Sequence, residues 1–222
     1  MRRVIGAVFV SLDGVMQAPG GPEEDRTGGF DLGGWLFSYF DEAGGRRIDA
    51  LFSQPFDLLL GRRTYDIFAA YWPFVEGEDA ALGARFDRAG KYVLTRGAQP
   101  LSWANSHRLT GLDGLAEVKR EEGPDLIIQG SSTLYPQLLA AGLIDRLILM
   151  TFPVVLGGGK RLFGEGAPPR SMRMVEHEVT PRGVVIATYE PDGPIEPGDF
   201  GAATTPSPAE WERRARVAAG TW

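Results

Sequence analysis

The sequence predicts an α/β protein with a mixed, mostly parallel sheet, flanked by helices and ending in an antiparallel hairpin. Short apolar runs that stop at glycine or polar residues alternate with amphipathic segments over the first two thirds of the chain. This alternation is typical of strand-helix repeats and a parallel sheet. The last two apolar runs, MRMVEHEVT and GVVIATYE, are joined by Pro181-Arg182-Gly183, a turn signal that indicates a hairpin. With 222 residues, 43% of them hydrophobic, the chain can bury one domain plus an appendage.

The elements of the first half begin with a buried strand over Val4–Val10, which is apolar and rich in valine. A loop from Gly14 to Gly34 follows, and loops of this length are usually functional. Apolar residues at helical spacing predict a helix from Trp35 to Gln54. The remaining segments are strand DLLLG, helix RRTYDIFAAYWP, strand KYVLTR, and a short fourth strand within SWANSHRL.

The second half repeats the alternation. It contains helix GLDGLAEVKREEG, strand DLIIQG, helix SSTLYPQLLAAG and the long strand LIDRLILMTFPVVLGGG, ahead of the hairpin. A serine or threonine is expected to cap the helix that follows Gly130. From Pro191 the chain becomes rich in proline, glycine and threonine, so we expect a domain over residues 1–190. Residues 191–222 are predicted to form a linker and one short amphipathic helix.

Composition excludes several classes of protein. The chain has no cysteine and two histidines without ligand spacing, so no metal site is expected. A net charge of −6 argues against a general nucleic-acid binder. No apolar run approaches the roughly 20 residues of a membrane helix, and MRRVIGAVFVSLDG reads as a first strand instead of a signal peptide. We therefore expect a cytoplasmic protein with neither membrane nor nucleic-acid partners.

Three predicted strand ends carry small, hydroxylated or cationic residues. They are Gly61, Arg62, Arg63 and Thr64, then Thr95 and Arg96, then Gly130, Ser131, Ser132 and Thr133. Ligands of open parallel sheets bind at the carboxyl ends of the strands. Glycine there allows close approach to the backbone, helix amides attract phosphate, and arginine suits a phosphate monoester. The combination favours NADP over NAD.

Other interpretations of these strand ends stay open. The stretch Gly130–Thr133 could be an ordinary helix cap, and Arg62 and Arg63 could be solvated charges at a helix start. No segment fits Gly-x-Gly-x-x-Gly, and the glycines at Gly157 lack P-loop spacing, so a Rossmann domain is not supported.

Several ordered motifs together resemble the dihydrofolate-reductase-like family, and more closely its RibD C-terminal branch, the riboflavin-biosynthesis reductases. They are SLDGVM, LLLGRRTYD, YVLTR, LIIQGSSTLYPQLLAAGLIDRL and PVVLGGGKRLF, spread over about Arg2 to Glu190. The resemblance implies a three-layer fold, NADPH as cofactor, a small-molecule substrate and a homodimer. The helix containing Trp211 could reach the partner subunit.

The resemblance also assigns cofactor contacts. It places Gly61, Arg62 and Thr64 at the NADPH phosphates, with Arg62 as the preferred phosphate contact and Arg63 beside it. It places Leu94, Thr95 and Arg96 at the adenosine, Gly130, Ser131, Ser132, Thr133 and Leu134 at the pyrophosphate, and Gly14–Gly21 as a lid over the nicotinamide.

The substrate side is less defined. Dihydrofolate reductases keep a carboxylate on the helix after the lid; Asp41, Glu42 and Asp49 are available here, with Asp41 preferred because it lies near the helix start. A solvated surface acid is the alternative. Asp13 is expected to face the substrate cavity or simply to fix its own turn, and Lys160 is expected to hold an anionic group.

The expected activity is that of a 5-amino-6-(5-phosphoribosylamino)uracil reductase-like enzyme, with hydride transfer to a small heterocyclic or ribosylamine substrate. The stretch YDIFAAYWP lacks the Asp-Pro and arginine with which riboflavin reductases usually serve a phosphoribosyl group, so the substrate stays open. A dihydrofolate or pteridine reductase and a non-catalytic NADP-binding sensor are the alternatives.

Overall fold

A computed structural model describes residues 1–164, 166–199 and 205–221. The strands are β1 (Val4–Ser11), β2 (Phe56–Gly61), β3 (Lys91–Leu94), β4 (Ser106–Leu109), β5 (Asp125–Ile128), β6 (Arg146–Phe152), β7 (Met172–Val179) and β8 (Val185–Pro191). The helices are α1 (Glu42–Ser53), α2 (Arg62–Tyr71), α3 (Ala80–Arg88), α4 (Leu112–Arg120), α5 (Leu134–Ala140) and α6 (Pro208–Ala218).

The strands form one sheet in the order β4-β3-β2-β5-β1-β6-β8-β7. The first six pair in parallel, whereas β8 runs antiparallel to β6 and to β7. The predicted fold class is confirmed, including the hairpin. The carboxyl ends of β1, β2, β3, β5 and β6 consequently lie along one edge of the sheet, which is where ligands of such sheets bind.

Side chains that alternate along the strands build a core on each face of the sheet. Leu59 packs with residues of α4 and α5, whereas Leu58 and Leu60 pack with Phe52 of α1 and Phe86 of α3. All of these side chains are almost fully buried. Burial on both faces explains why the strands read as continuous apolar runs.

The helix predicted from Trp35 begins seven residues later, at Glu42. Asp41 has an extended backbone and its carboxylate accepts a hydrogen bond from the amide of Gly44, at 3.1 Å, so it is the N-cap that starts α1. Glycine at position 44 leaves room for the ring of Phe40, from which a Cβ atom would lie 3.2 Å. Trp35 and Leu36, which precede Asp41, reach the core from turns.

Two further boundaries differ from the sequence prediction. The long strand expected to reach Gly159 ends at Phe152, because Pro153 has no amide to continue the ladder. In the C-terminal segment, α6 buries none of its residues, and part of the predicted linker, residues 200–204, lies outside the described residues. Within the described part of the chain, no helix is long and apolar enough to cross a membrane.

Candidate functional site

The ends of β2 and β5 are joined by two reciprocal hydrogen bonds. The hydroxyl of Ser131 accepts from the amide of Gly61, and the hydroxyl of Thr64 accepts from the amide of Ser131, each at 2.9 Å. Gly130 has a φ of 62°, and a Cβ atom on it would lie 2.9 Å from Thr64 Cγ2. These four predicted residues therefore form one junction, and only glycine fits its tightest point.

The residues after this junction differ from the prediction. Thr133 occupies the N-cap position of α5 but its side chain makes no capping bond. The hydroxyl of Ser131 is turned toward Gly61 instead. Ser132 is half-buried and Thr133 is exposed, so both can meet a ligand. The side chain of Leu134 is 3% exposed and belongs to the core, so it cannot contact a ligand at the pyrophosphate position.

The arginine preferred as a phosphate contact, Arg62, is already engaged. Its guanidinium pairs with Asp66 at 2.8 Å and donates to the carbonyl oxygens of Gln99 and Pro100 at 2.9 and 3.1 Å. Arg62 thus fixes the loop after β3, and the prediction that it is the principal phosphate contact is not supported by its geometry. The hydroxyl of Thr95 in the same region accepts from the amide of Gly97, and Leu94 lies beside Gly61 in the sheet.

Two other arginines at this edge keep their guanidinium groups available. Within residues 1–164, 166–199 and 205–221, the guanidinium groups of Arg63 and Arg96 form no hydrogen bond and no ion pair. Arg63 is the second residue of α2, and Arg96 is exposed just beyond β3. They are the cations that the described site can offer to an anionic ligand.

A cavity of about 540 Å³ opens at the same edge of the sheet. It lies between the long loop after β1, the start of α2 and the glycine-rich loop after β6. Its lining consists of Gln17, Thr27, Gly28, Gly29, Phe30, Asp31, Leu32, Arg63, Leu156, Gly158, Gly159 and Lys160. Its size suits a small molecule or one end of a larger cofactor.

Lys160 lines this cavity but its ammonium group is occupied. It forms an ion pair with Asp25 and donates to the hydroxyl of Thr27 at 2.7 Å. Burial opposes ionisation of Asp25, but the hydrogen bonds from Lys160 and Thr27 outweigh it and lower the pKa of this carboxyl. Lys160 therefore joins the two loops that flank the cavity, and the expectation that it holds a ligand anion is not supported by its geometry.

Asp13 fixes the backbone and does not line the cavity. It accepts hydrogen bonds from the hydroxyl of Ser11 at 2.7 Å and from the amides of Leu156 and Gly157 at 3.0 and 2.9 Å. The Ser11 hydroxyl and then these amides lower its pKa to about 2, against partial desolvation. Asp13 consequently ties the turn after β1 to the loop after β6, which agrees with the structural alternative.

Asp41, the preferred carboxylate of the substrate side, also does not line the cavity. Besides capping α1, it accepts from the amide of Arg182 in the hairpin turn, at 3.2 Å. The bond from Gly44, opposed by slight desolvation, lowers its pKa. Glu42 and Asp49 are exposed on α1. Within the described chain, Asp31 is the only carboxylate residue of the cavity lining.

The expected lid, Gly14–Gly21, proves to be largely an interior segment. Val15, Met16, Gln17 and Ala18 are each at most 5% exposed. The Gln17 amide donates to the carbonyl oxygens of Asp25 and Thr27, at 3.0 and 2.9 Å, and so holds the next part of the loop. The exposed part of the loop lies after Ala18.

Apart from Gln17, which lies in the predicted lid, the sequence did not indicate this wall of the cavity, namely Thr27, Phe30, Asp31 and Leu32. The only signal for them was the unusual length of the loop in which they lie.

Comparison with solved structures defines the class of fold. A dihydrofolate reductase from Enterococcus faecalis, solved with NADP(H), aligns with a TM-score of 0.52 and 14% identity, over 86% of this chain and 96% of that one. A pyrimidine reductase-like protein from Corynebacterium diphtheriae gives 0.57 and 14%, over 86% and 92%. A candidate riboflavin biosynthesis protein from Shewanella sp. PV-4 gives 0.64 and 21%, over 86% and 99%. The chain has a dihydrofolate-reductase-like fold.

The sequence then gives the family. Residues 2–186 match the model of the RibD C-terminal domain, so the chain belongs to that family. Among curated proteins it is similar to two uncharacterized proteins of Bacillus subtilis (strain 168). YyaP is 27% identical over 198 residues, covering 86% of this chain and 96% of YyaP. YwjB is 29% identical over 178 residues, covering 78% of this chain and 89% of YwjB.

Proposed function

We propose that this protein is an NADPH-dependent reductase that transfers a hydride to a small heterocyclic or ribosylamine substrate. The observation that carries the proposal is the junction of β2 and β5 at Gly61, Thr64, Gly130 and Ser131, which lies at the same ends of the strands as the cavity that Arg63 lines. Membership of the RibD C-terminal family and the dihydrofolate-reductase-like fold support it. In this proposal bound NADPH supplies the hydride, and the protein supplies orientation and exclusion of water.

The residues that would hold NADPH follow from which groups are available. The pyrophosphate would lie against Gly130, Ser132 and Thr133, where glycine allows close approach. Arg63, which lines the cavity with no partner among the described residues, would contact the same pyrophosphate. Arg96 follows β3, where the resemblance places adenosine, and would bind the 2′-phosphate that distinguishes NADPH from NADH. Arg62 would act indirectly by fixing the loop that carries Arg96.

The binding test uses tryptophan fluorescence during titration with NADPH and NADH. We expect Arg96→Gln to weaken NADPH binding about tenfold and to leave NADH unchanged, because a hydrogen bond to a charged group is lost only with NADPH. Arg63→Gln should weaken both dinucleotides by a similar factor, because both contain the pyrophosphate. Equal affinity of the wild type for NADPH and NADH would contradict the phosphate assignment.

The turnover test follows loss of nicotinamide absorbance with candidate ribosylamines, pterins and quinones. We expect turnover with a member of the first class and none with dihydrofolate. The carboxylate that the resemblance to dihydrofolate reductases places beside the pterin, Asp41, instead caps α1. Tight NADPH binding without turnover of any compound would favour the sensor alternative over an enzyme.

A further inference from the structure

A second cavity, of about 190 Å³, lies at the amino-terminal ends of the strands, at the opposite edge of the sheet from the proposed NADPH site. Neighbouring strands supply its floor. Phe56 begins β2, Ile127 is in β5, and Ile5 of β1 pairs with Ile127 in the parallel register. Ile148 of β6 completes the floor, and Leu51 of α1 lies in the cavity wall. The floor residues are at most 7% exposed, so the interior of this cavity is apolar.

Three arginines line the same cavity, namely Arg3, Arg47 and Arg146, whereas Asp125 is the only acidic residue among the lining side chains. Arg3 pairs with Asp125 at 2.5 Å. Arg47 pairs at 2.8 Å with Glu176, whose side chain is 59% exposed, and Arg146 pairs at 2.6 Å with Glu190. The last two acids do not line the cavity. Each of the three guanidinium groups therefore already pairs with one carboxylate, and its remaining N–H groups are the donors left for a ligand above the apolar floor.

Arg146 has an additional unsatisfied donor. Its Nε is buried and has no hydrogen-bond partner. Within the described residues, the only other buried side-chain atom without a partner is Nε of Arg170. Buried donors in folded proteins are normally paired. This nitrogen has almost no accessible surface, so a bound carboxylate could accept from it only if the guanidinium turned toward the cavity.

We propose that this cavity is a binding site for a small carboxylic acid with a single apolar ring. The carboxylate would interact with Arg146 and Arg3, and the ring would lie on Ile5, Ile127 and Ile148. The volume supports a ligand of this size, because an apolar cavity of about 150 Å³ is known to accept benzene. A nucleotide is too large for it. The proposal is independent of the proposed reductase activity, since the two sites lie at opposite edges of the sheet.

Isoleucine-methyl NMR of the full chain, titrated with sodium benzoate, tests the proposal directly. We expect the signals of Ile5, Ile127 and Ile148 to shift saturably, and that of Ile128, in the core on the other face of the sheet, to stay in place. Benzamide, which has the same ring without the charge, should cause no shift at equal concentration. No shift with benzoate, or equal shifts with benzamide, would overturn the proposal.

A second test of the site compares benzoate binding in matched arginine variants. Arg146→Gln should weaken benzoate binding about tenfold, because it removes charge-assisted hydrogen bonds. Arg173→Gln is the control, because Arg173 also pairs with Glu190 but does not line the cavity. Equal effects of the two variants would overturn the assignment of Arg146. If Arg146→Gln disturbs the whole methyl spectrum, Arg3→Gln provides the same comparison, and unchanged affinity in that variant would contradict the site.

Discussion

The carboxylate of Asp13 accepts hydrogen bonds from two backbone amides, those of Leu156 and Gly157, in a loop more than 140 residues away. Asn at this position keeps one acceptor but turns a donor toward the second amide. We expect Asp13→Asn to lower the free energy of unfolding at pH 7 by about 1–2 kcal/mol, at the lower end because the carboxylate is partly exposed. Urea denaturation measures this difference.

The stability difference between the wild type and Asp13→Asn is also expected to depend on pH. The folded-state pKa of Asp13 is about 2, below its ordinary value of 3.8. Its contribution to stability is therefore complete above about pH 4 and is lost as the pH falls through 2. The stability difference between wild type and Asp13→Asn should shrink over that interval. A stability difference that stays constant over this interval would contradict the assignment of Asp13.

Gly130 and Gly157 allow backbone strain to be separated from steric contact. Both have positive φ, 62° and 78°, but a Cβ atom on Gly157 meets nothing within 4 Å whereas one on Gly130 meets Thr64. We expect Gly157→Ala to cost about 1 kcal/mol from its conformation alone. Gly130→Ala should cost about 1–2 kcal/mol more, because Thr64 must move and its bond with Ser131 weakens. Equal losses in urea denaturation would show that the contact is unimportant.

At the scale of elements, the ion pair of Lys160 with Asp25 connects the loop after β1 to the loop after β6. Lys160→Met keeps the aliphatic stem and removes the charge. We expect amide hydrogen exchange at residues 25–29 to become about tenfold faster, since local opening would cost less free energy. Arg26→Gln is the matched control, because it breaks only an exposed pair with Glu23 in the same loop. Similar exchange in both variants would mean that Lys160 does not hold the loop.

What the sequence could predict at this scale depends on how local the determinants are. The ends of β2 and β5 follow from a few adjacent residues: the sequence predicts them at Gly61 and Gly130, and the strands end at Gly61 and at Ile128. The start of α1 was wrong, because an apolar pattern extends through Trp35 and Leu36 although the capping geometry lies at Asp41. The partner of Lys160 is 135 positions away in the chain, so no local pattern could show that its charge is already neutralised.

At the scale of the whole molecule, the order of strands and helices predicted the sheet because parallel crossovers and a short hairpin leave few alternatives. The choice among arginines could not be predicted in this way. Arg62 and Arg63 are adjacent in sequence, yet Arg62 points into carbonyl groups of the loop after β3 and Arg63 lines the cavity. Which of two neighbours is available depends on packing between distant segments.

We propose that the protein is a homodimer that pairs through β7, the outermost strand of the sheet. Seven of the eight residues of β7 are exposed, with Met174 and Val179 exposed to 50% and 62%. Charged residues alternate with these apolar ones along β7, but its outer backbone groups are not paired within the sheet that the described residues form, and an unpaired edge strand can pair with another chain. Helix α6, with Trp211 55% exposed, is the alternative interface.

Sedimentation equilibrium separates these two interfaces. A chain ending at Pro191 should remain dimeric, since it retains the whole sheet. Val179→Lys should raise the dimer dissociation constant by about tenfold or more, because it brings a charge into an apolar contact. Val217→Lys, at a comparably exposed position of α6, should leave the dimer intact. A monomeric truncated chain beside a dimeric full chain would place the interface in the tail, and a monomeric full chain would refute the dimer.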